Sequence, residues 1–169
     1  REELDAVRRK VQAMENDPTT PDTRLADYLL DLNPARTDEL VKLTLGGFFA
    51  GRIWILHSRF RYFDPERRRA GLPPDVGALV EKLAADSATL TLVNLNPIEP
   101  RTVIVQAGGY GEHHFDSAEL AGRSVAIGGP LVTVRLAPGC GGRIVFRMTR
   151  YKNLPTFAHP WDRGWYGRE

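Results

Sequence analysis

From residue 88 onward the chain is punctuated at nearly regular intervals by turn-forming residues, and this punctuation constrains its fold more than any other feature. The turns are Asn96-Pro97-Ile98-Glu99-Pro100, Gly108-Gly109-Tyr110-Gly111, Gly128-Gly129-Pro130 and Pro138-Gly139-Cys140-Gly141-Gly142. Glycine supplies positive φ, proline presets one turn angle, and asparagine bonds its own backbone, so each cluster reverses the chain for a stated reason. Between them lie short runs of alternating, β-branched character: Thr89–Asn94, Arg101–Gln106, His113–Phe115, Ser124–Ile127, Leu131–Leu136 and Arg143–Thr149. Short strands at such spacing predict an antiparallel sandwich or barrel.

Upstream the pattern differs. Leu4, Val7, Val11 and Met14 recur at three and four residues and predict an amphipathic helix over Glu2–Glu15. Asp17-Pro-Thr-Thr-Pro-Asp-Thr breaks it, and Asp22 or Thr23 caps a second short helix carrying Leu25, Tyr28, Leu29 and Leu32. Asn33-Pro34 stops that one, and Thr37-Asp-Glu-Leu opens a third ending near Gly46-Gly47. From Arg52 to Phe63, Ile53, Ile55 and His57 alternate with Trp54, Leu56 and Phe60, which predicts a long strand. Leu72-Pro-Pro-Asp then reads as a helix start, with Val76, Leu79, Val80 and Leu83 on one face of a helix over 72–84. The expected fold is α+β and mostly β: a helical segment over residues 1–47, an antiparallel β-sandwich of six or seven strands over 48–151 with that one inserted helix, and an irregular tail over 152–169.

Bulk properties exclude several classes. At 169 residues the chain can bury a core without staples, and 42% hydrophobic with 26% charged residues is ordinary globular composition. A formal charge of +2 gives no nucleic-acid or membrane-surface signal. Only four of the 23 basic residues are Lys, an Arg bias that suits bidentate carboxylate or phosphate pairing but that a GC-rich coding sequence produces as readily. The single cysteine, Cys140, excludes an internal disulfide and a multi-cysteine zinc site. The compartment is left open, a secreted or periplasmic one included. No run approaches the apolar length of a membrane span, since Gly51 and Arg52 break the patch from Phe48 to Leu56. The opening Arg-Glu-Glu-Leu, with neither initiator Met nor signal-peptide core, is expected of a processed chain or a piece of a longer one.

Leu90-Thr-Leu-Val-Asn-Leu-Asn, Glu99-Pro-Arg-Thr-Val-Ile-Val-Gln-Ala-Gly, Leu131-Val-Thr-Val-Arg-Leu-Ala-Pro-Gly and Arg143-Ile-Val-Phe-Arg-Met resemble, over residues 88–150, the immunoglobulin-like β-sandwich at the C-terminal end of many carbohydrate-active enzymes. The resemblance implies an accessory domain beside an upstream domain or subunit, with carbohydrate as the associated chemistry. It carries over no catalytic residue, and such modules generally have none.

Candidate chemistry is sparse. Glu112-His113-His114-Phe115-Asp116 gathers potential metal ligands, but consecutive strand residues face opposite ways, and a third ligand from His57 or His159 would be needed. No metal or cofactor is assigned. Arg59, Arg61, Arg67, Arg68 and Arg69 with Phe60, Tyr62 and Phe63 have the character of a nucleic-acid surface, yet Asp64 and Glu66 dilute it, and a strand with an arginine solvent face is the favoured reading. Trp54, Tyr110, Trp161 and Trp165 can stack on sugar rings or pin the tail, pinning being favoured. The ligand-binding candidates are therefore Tyr110, His113, His114 and Trp161. No nucleophile elbow, P-loop or dinucleotide fingerprint is present, so no catalytic residue is assigned.

Overall fold

The computed structural model describes residues 2–23, 38–47 and 57–163. The chain divides into two compact units, Arg1–Glu39 and Leu40–Glu169.

In the first unit, helix α1 spans Glu2–Glu15, as the apolar stripe predicts. Val11 and Met14 remain 38% exposed. A 3₁₀ turn follows at Pro21–Thr23, with the Thr23 hydroxyl accepting the Thr20 N–H at 2.9 Å. The expected second helix lies outside the described residues, apart from this start. Helix α2, Asp38–Leu45, is the expected third helix and from Leu40 onward belongs to the second unit. It ends at Gly46, whose φ of +64° and N–H bond to the Lys42 carbonyl at 2.9 Å close its last turn.

The second unit is a two-sheet antiparallel β-sandwich. Its strands are β1 (Phe60–Asp64), β2 (Arg69–Ala70), β3 (Val76–Leu83), β4 (Ser87–Asn94), β5 (Arg101–Ala107), β6 (His114–Leu120), β7 (Arg123–Gly129), β8 (Leu131–Leu136) and β9 (Gly141–Thr149). One sheet has the order β2-β1-β5-β8 and the other β3-β4-β9-β6-β7. The last strand thus lies in the middle of the larger sheet, an order unlike the ABED/CFG arrangement of immunoglobulin constant domains.

Alternation builds the core. Phe60, Tyr62, Val103, Val105 and Ala107 from one sheet meet Ala88, Leu90, Leu92, Phe115, Ile144, Phe146 and Met148 from the other. Phe60, Phe115 and Phe146 form its aromatic centre, with ring centroids 4.6 to 6.1 Å apart, and each such burial contributes about 2–3 kcal/mol. A bulge in β6 between Phe115 and Ser117 leaves both Phe115 and Ala118 facing the core, because the extra residue resets the alternation. Tyr62 donates its hydroxyl hydrogen to the Thr44 carbonyl of α2, while Leu45 packs against the core. Burial pushes the Tyr62 phenol well above its ordinary pKa, so it stays a neutral donor.

Two expectations need correction. The predicted helix over 72–84 is strand β3, paired with β4 from Val76↔Asn94 to Leu83↔Ala88. The Pro73-Pro74-Asp75 segment is a turn: Asp75 has φ +61° and Val76 N–H bonds the Pro73 carbonyl, and a left-handed residue there cannot start a helix. Val76, Ala78 and Val80 face the core at period two, whereas Leu79 and Leu83, which completed the apparent helical stripe, are 41% and 48% exposed. There are consequently nine strands among the described residues where six or seven were expected, with β2 and β3 the additions. Of the long strand expected over Arg52–Phe63, the part before His57 lies outside the described residues, and the described part pairs as β1 from Phe60.

The described tail residues, 152–163, are irregular apart from a 3₁₀ turn at Pro160–Arg163. Trp161 packs on Phe63, Ile104 and Leu131, the outward-facing residues of the four-stranded sheet, and so covers the face opposite the core. No helix among the described residues is long and apolar enough to cross a membrane.

Candidate functional site

The glycine cluster after β5 does more than reverse the chain. Gly108 has φ +88°, its N–H bonds the Arg59 carbonyl at 2.8 Å, and His113 N–H returns to the Ala107 carbonyl at 3.1 Å. Gln106, buried, holds the loop from below through its amide, which donates to the Gly108 and Gly109 carbonyls at 3.1 and 3.2 Å. The Glu112 carboxylate folds back over Gly108, where a Cβ would stand 2.4 Å from Oε2, and accepts the Tyr110 N–H at 2.8 Å. Glycine is required there twice over, for the backbone angle and for the carboxylate.

This loop places Glu112 and His113 on the wall of a cavity of about 410 Å³. Its other walls come from α2 and its end (Lys42, Gly46, Gly47), the approach to β1 (His57, Ser58, Arg59), Leu83 of β3, and Arg150 and Tyr151 after β9. His113 is 1% exposed. Its Nδ1 accepts the Tyr151 N–H at 3.2 Å, its Nε2 lies 3.8 Å from Glu112 Oε1, and its ring meets the Tyr151 ring edge-on at 4.8 Å. Burial lowers the His113 pKa, opposed by Glu112 and assisted by Arg59 and Arg150. In the neutral imidazole the Nδ1 lone pair is taken by the Tyr151 N–H and the hydrogen sits on Nε2, 3.8 Å from Glu112 and beyond hydrogen-bond reach.

Tyr151 has φ +56°, a strained setting for a non-glycine residue, and this aims its N–H at His113. Arg150 lies over the Tyr151 ring, with Cζ 5.0 Å from its centroid, and donates to its hydroxyl at 2.9 Å. Arg59 is half-buried, and burial together with Arg150 lowers its pKa. Its Nε has no partner, and neither does the hydroxyl of Ser58, which is 3% exposed.

The sequence-level candidates divide. His113 lines the cavity. Tyr110 stands next to it but is half-buried, its ring edge-on to Phe157 at 5.3 Å and its carbonyl accepting the Thr156 N–H. His114 starts β6, half-buried, with Nδ1 unpartnered. Trp161 is remote from all three in its contacts: it stacks on His159 at 5.0 Å and meets Phe63 edge-on at 6.0 Å, the anchoring role that was favoured. His159 is therefore no ligand for the His113 edge, and among the described residues no three His, Cys, Asp or Glu side chains gather as a metal site. The aromatics of the arginine-rich stretch are core residues, with Phe60 and Phe63 at 0% exposure, while Arg67 and Arg69 pair with buried Asp64 at 3.4 and 3.5 Å. Sequence reasoning missed Ser58, Arg59, Glu112 and Arg150 as a group, because they lie on three separate segments.

Comparison with family models finds no match. Neither curated proteins nor solved structures give one.

Proposed function

We propose that the chain is a non-catalytic accessory β-sandwich, a supporting domain of a larger protein that acts on carbohydrate. The observation that carries this reading is the engagement of His113. A general base needs a ring nitrogen free to take a proton from substrate or nucleophile, and here one nitrogen accepts a backbone N–H while the other faces Glu112. Ser58 lines the same cavity, but His113 has no nitrogen left to activate it, so the three do not constitute a Ser-His-Glu relay. A docking role is supported by α2, where Leu40 and Leu43, three residues apart on one face, are 65% and 49% exposed.

The test is turnover. The purified chain, incubated with a panel of aryl glycosides and polysaccharides, is expected to release no product above a buffer blank. Hydrolysis that disappears in His113→Ala or Glu112→Gln would overturn the reading.

A further inference from the structure

We infer that the cavity walled by Ser58, Arg59 and Arg150 is a binding site for the oxyanion group, phosphate or carboxylate, of a small hydroxylated molecule. Two arginines share the cavity closely enough that Arg150 disfavours the charge on Arg59. Like charges so placed repel, and an anion between them removes the repulsion while accepting charge-assisted hydrogen bonds. Two donors are already in place without acceptors: the Ser58 hydroxyl, in a residue 97% buried by its 3% exposure, and the Arg59 Nε–H. A buried donor left unpaired is unfavourable, and an oxyanion that bonds it removes that cost. The strained Tyr151 backbone, held by His113, fixes where Arg150 emerges.

The volume identifies the rest of the ligand. About 410 Å³ exceeds what a bare phosphate fills and falls within the range of small-molecule sites. Glu112, near enough to Arg59 to act on its charge, adds a carboxylate that can accept from ligand hydroxyls, so the cavity offers both cationic and accepting groups. A sugar phosphate or a sugar acid has both features. This inference stands independently of the accessory reading, since it requires binding and no turnover.

Isothermal titration and thermal shift of the whole chain test it, with inorganic phosphate, glucose 6-phosphate, glucuronate and neutral glucose at matched ionic strength. Saturable binding of glucose 6-phosphate or glucuronate, with glucose silent, is expected, and the stronger of the two identifies the oxyanion. Arg150→Gln, at an exposed position, and Ser58→Ala should each weaken it by at least about tenfold, the equivalent of one charge-assisted bond. Arg123→Gln, on β7 and outside the cavity wall, should leave it unchanged. The inference is overturned if no anion binds saturably, if glucose binds as well as the anions, or if Arg150→Gln and Arg123→Gln respond alike.

Discussion

Replacing Asn94 by aspartate changes one atom and should be among the most damaging single substitutions in the sandwich. Asn94 ends β4 with 0% exposure. Its amide nitrogen donates to the Glu99 carbonyl at 2.8 Å and the Ala137 carbonyl at 3.1 Å, with the Leu136 carbonyl at 3.5 Å, and its Oδ1 accepts the Asn96 N–H at 3.0 Å. One side chain thereby ties the β4–β5 connection to the end of β8, joining the two sheets. In Asn94→Asp the Oδ1 bond survives, but the donors become an oxygen aimed at two carbonyls. Two lost bonds with partners left unpaired cost about 1–3 kcal/mol each, and a buried carboxylate among carbonyl oxygens adds to that until it protonates. A loss of about 3–5 kcal/mol at pH 7 follows, a large share of the roughly 5–15 kcal/mol typical of a domain. Protonation restores one donor, so the deficit relative to the unsubstituted chain should shrink at pH 4. Urea unfolding by circular dichroism at both pH values measures it. A deficit below about 1 kcal/mol at pH 7, or one equal at both pH values, would refute the reasoning.

Three further outcomes are expected. The β6–β7 turn places Ala121 at φ +50° before Gly122 at φ +77°, so Ala121→Asn, which suits a type I′ turn, should raise stability by about 1 kcal/mol; no rise in thermal midpoint would count against the turn assignment. His113 has a folded pKa below its ordinary 6.5 because of burial, so below about pH 6.5 the unfolded chain binds a proton that the folded chain refuses. Stability should therefore fall as pH drops below that value and level off once folded His113 protonates, and His113→Gln should flatten the urea-midpoint profile between pH 5 and 8. Trp161→Ala should cost about 2 kcal/mol through lost packing on Phe63 and Ile104, with Trp161→Phe recovering part; unchanged stability would show that the tail is not pinned.

Seven of the nine strands were anticipated, six of them, β4 to β9, because turn chemistry and alternation agree there, and the sheet pairing extends all of those six but β8 by a residue or more. Strand β3 was not, and the reason is specific. Val76, Leu79, Val80 and Leu83 satisfy a helical period by coincidence: in the strand Leu79 points away from the face of Val76 and Val80, and the register slip between Val80 and Lys82 sets Leu83 opposite Ala88. What decides between the two is the hairpin through Ala84–Asp86, whose Ala84 N–H bonds the Ser87 carbonyl at 2.9 Å. That bond commits β3 to pairing along β4, a tertiary gain that local periodicity does not encode.

The site illustrates a different limit. His113 was visible as a chemistry-bearing residue because it sits in a polar cluster, but its partners are separated from it by tens of residues: Arg59 precedes β1, and Arg150 and Tyr151 follow β9. They converge because β1 and β9 lie on opposite sheets, β1 beginning and β9 ending near the loop that follows β5, with Gly108 N–H bonded to the Arg59 carbonyl and β9 pairing with β6 up to His114↔Thr149. Any chain that closes a sandwich in this strand order brings those three segments to one end, whatever their side chains. The topology therefore accounts for the meeting place and not for its contents, and the placing of two arginines and an unpaired serine there is the part that a structural role leaves unexplained.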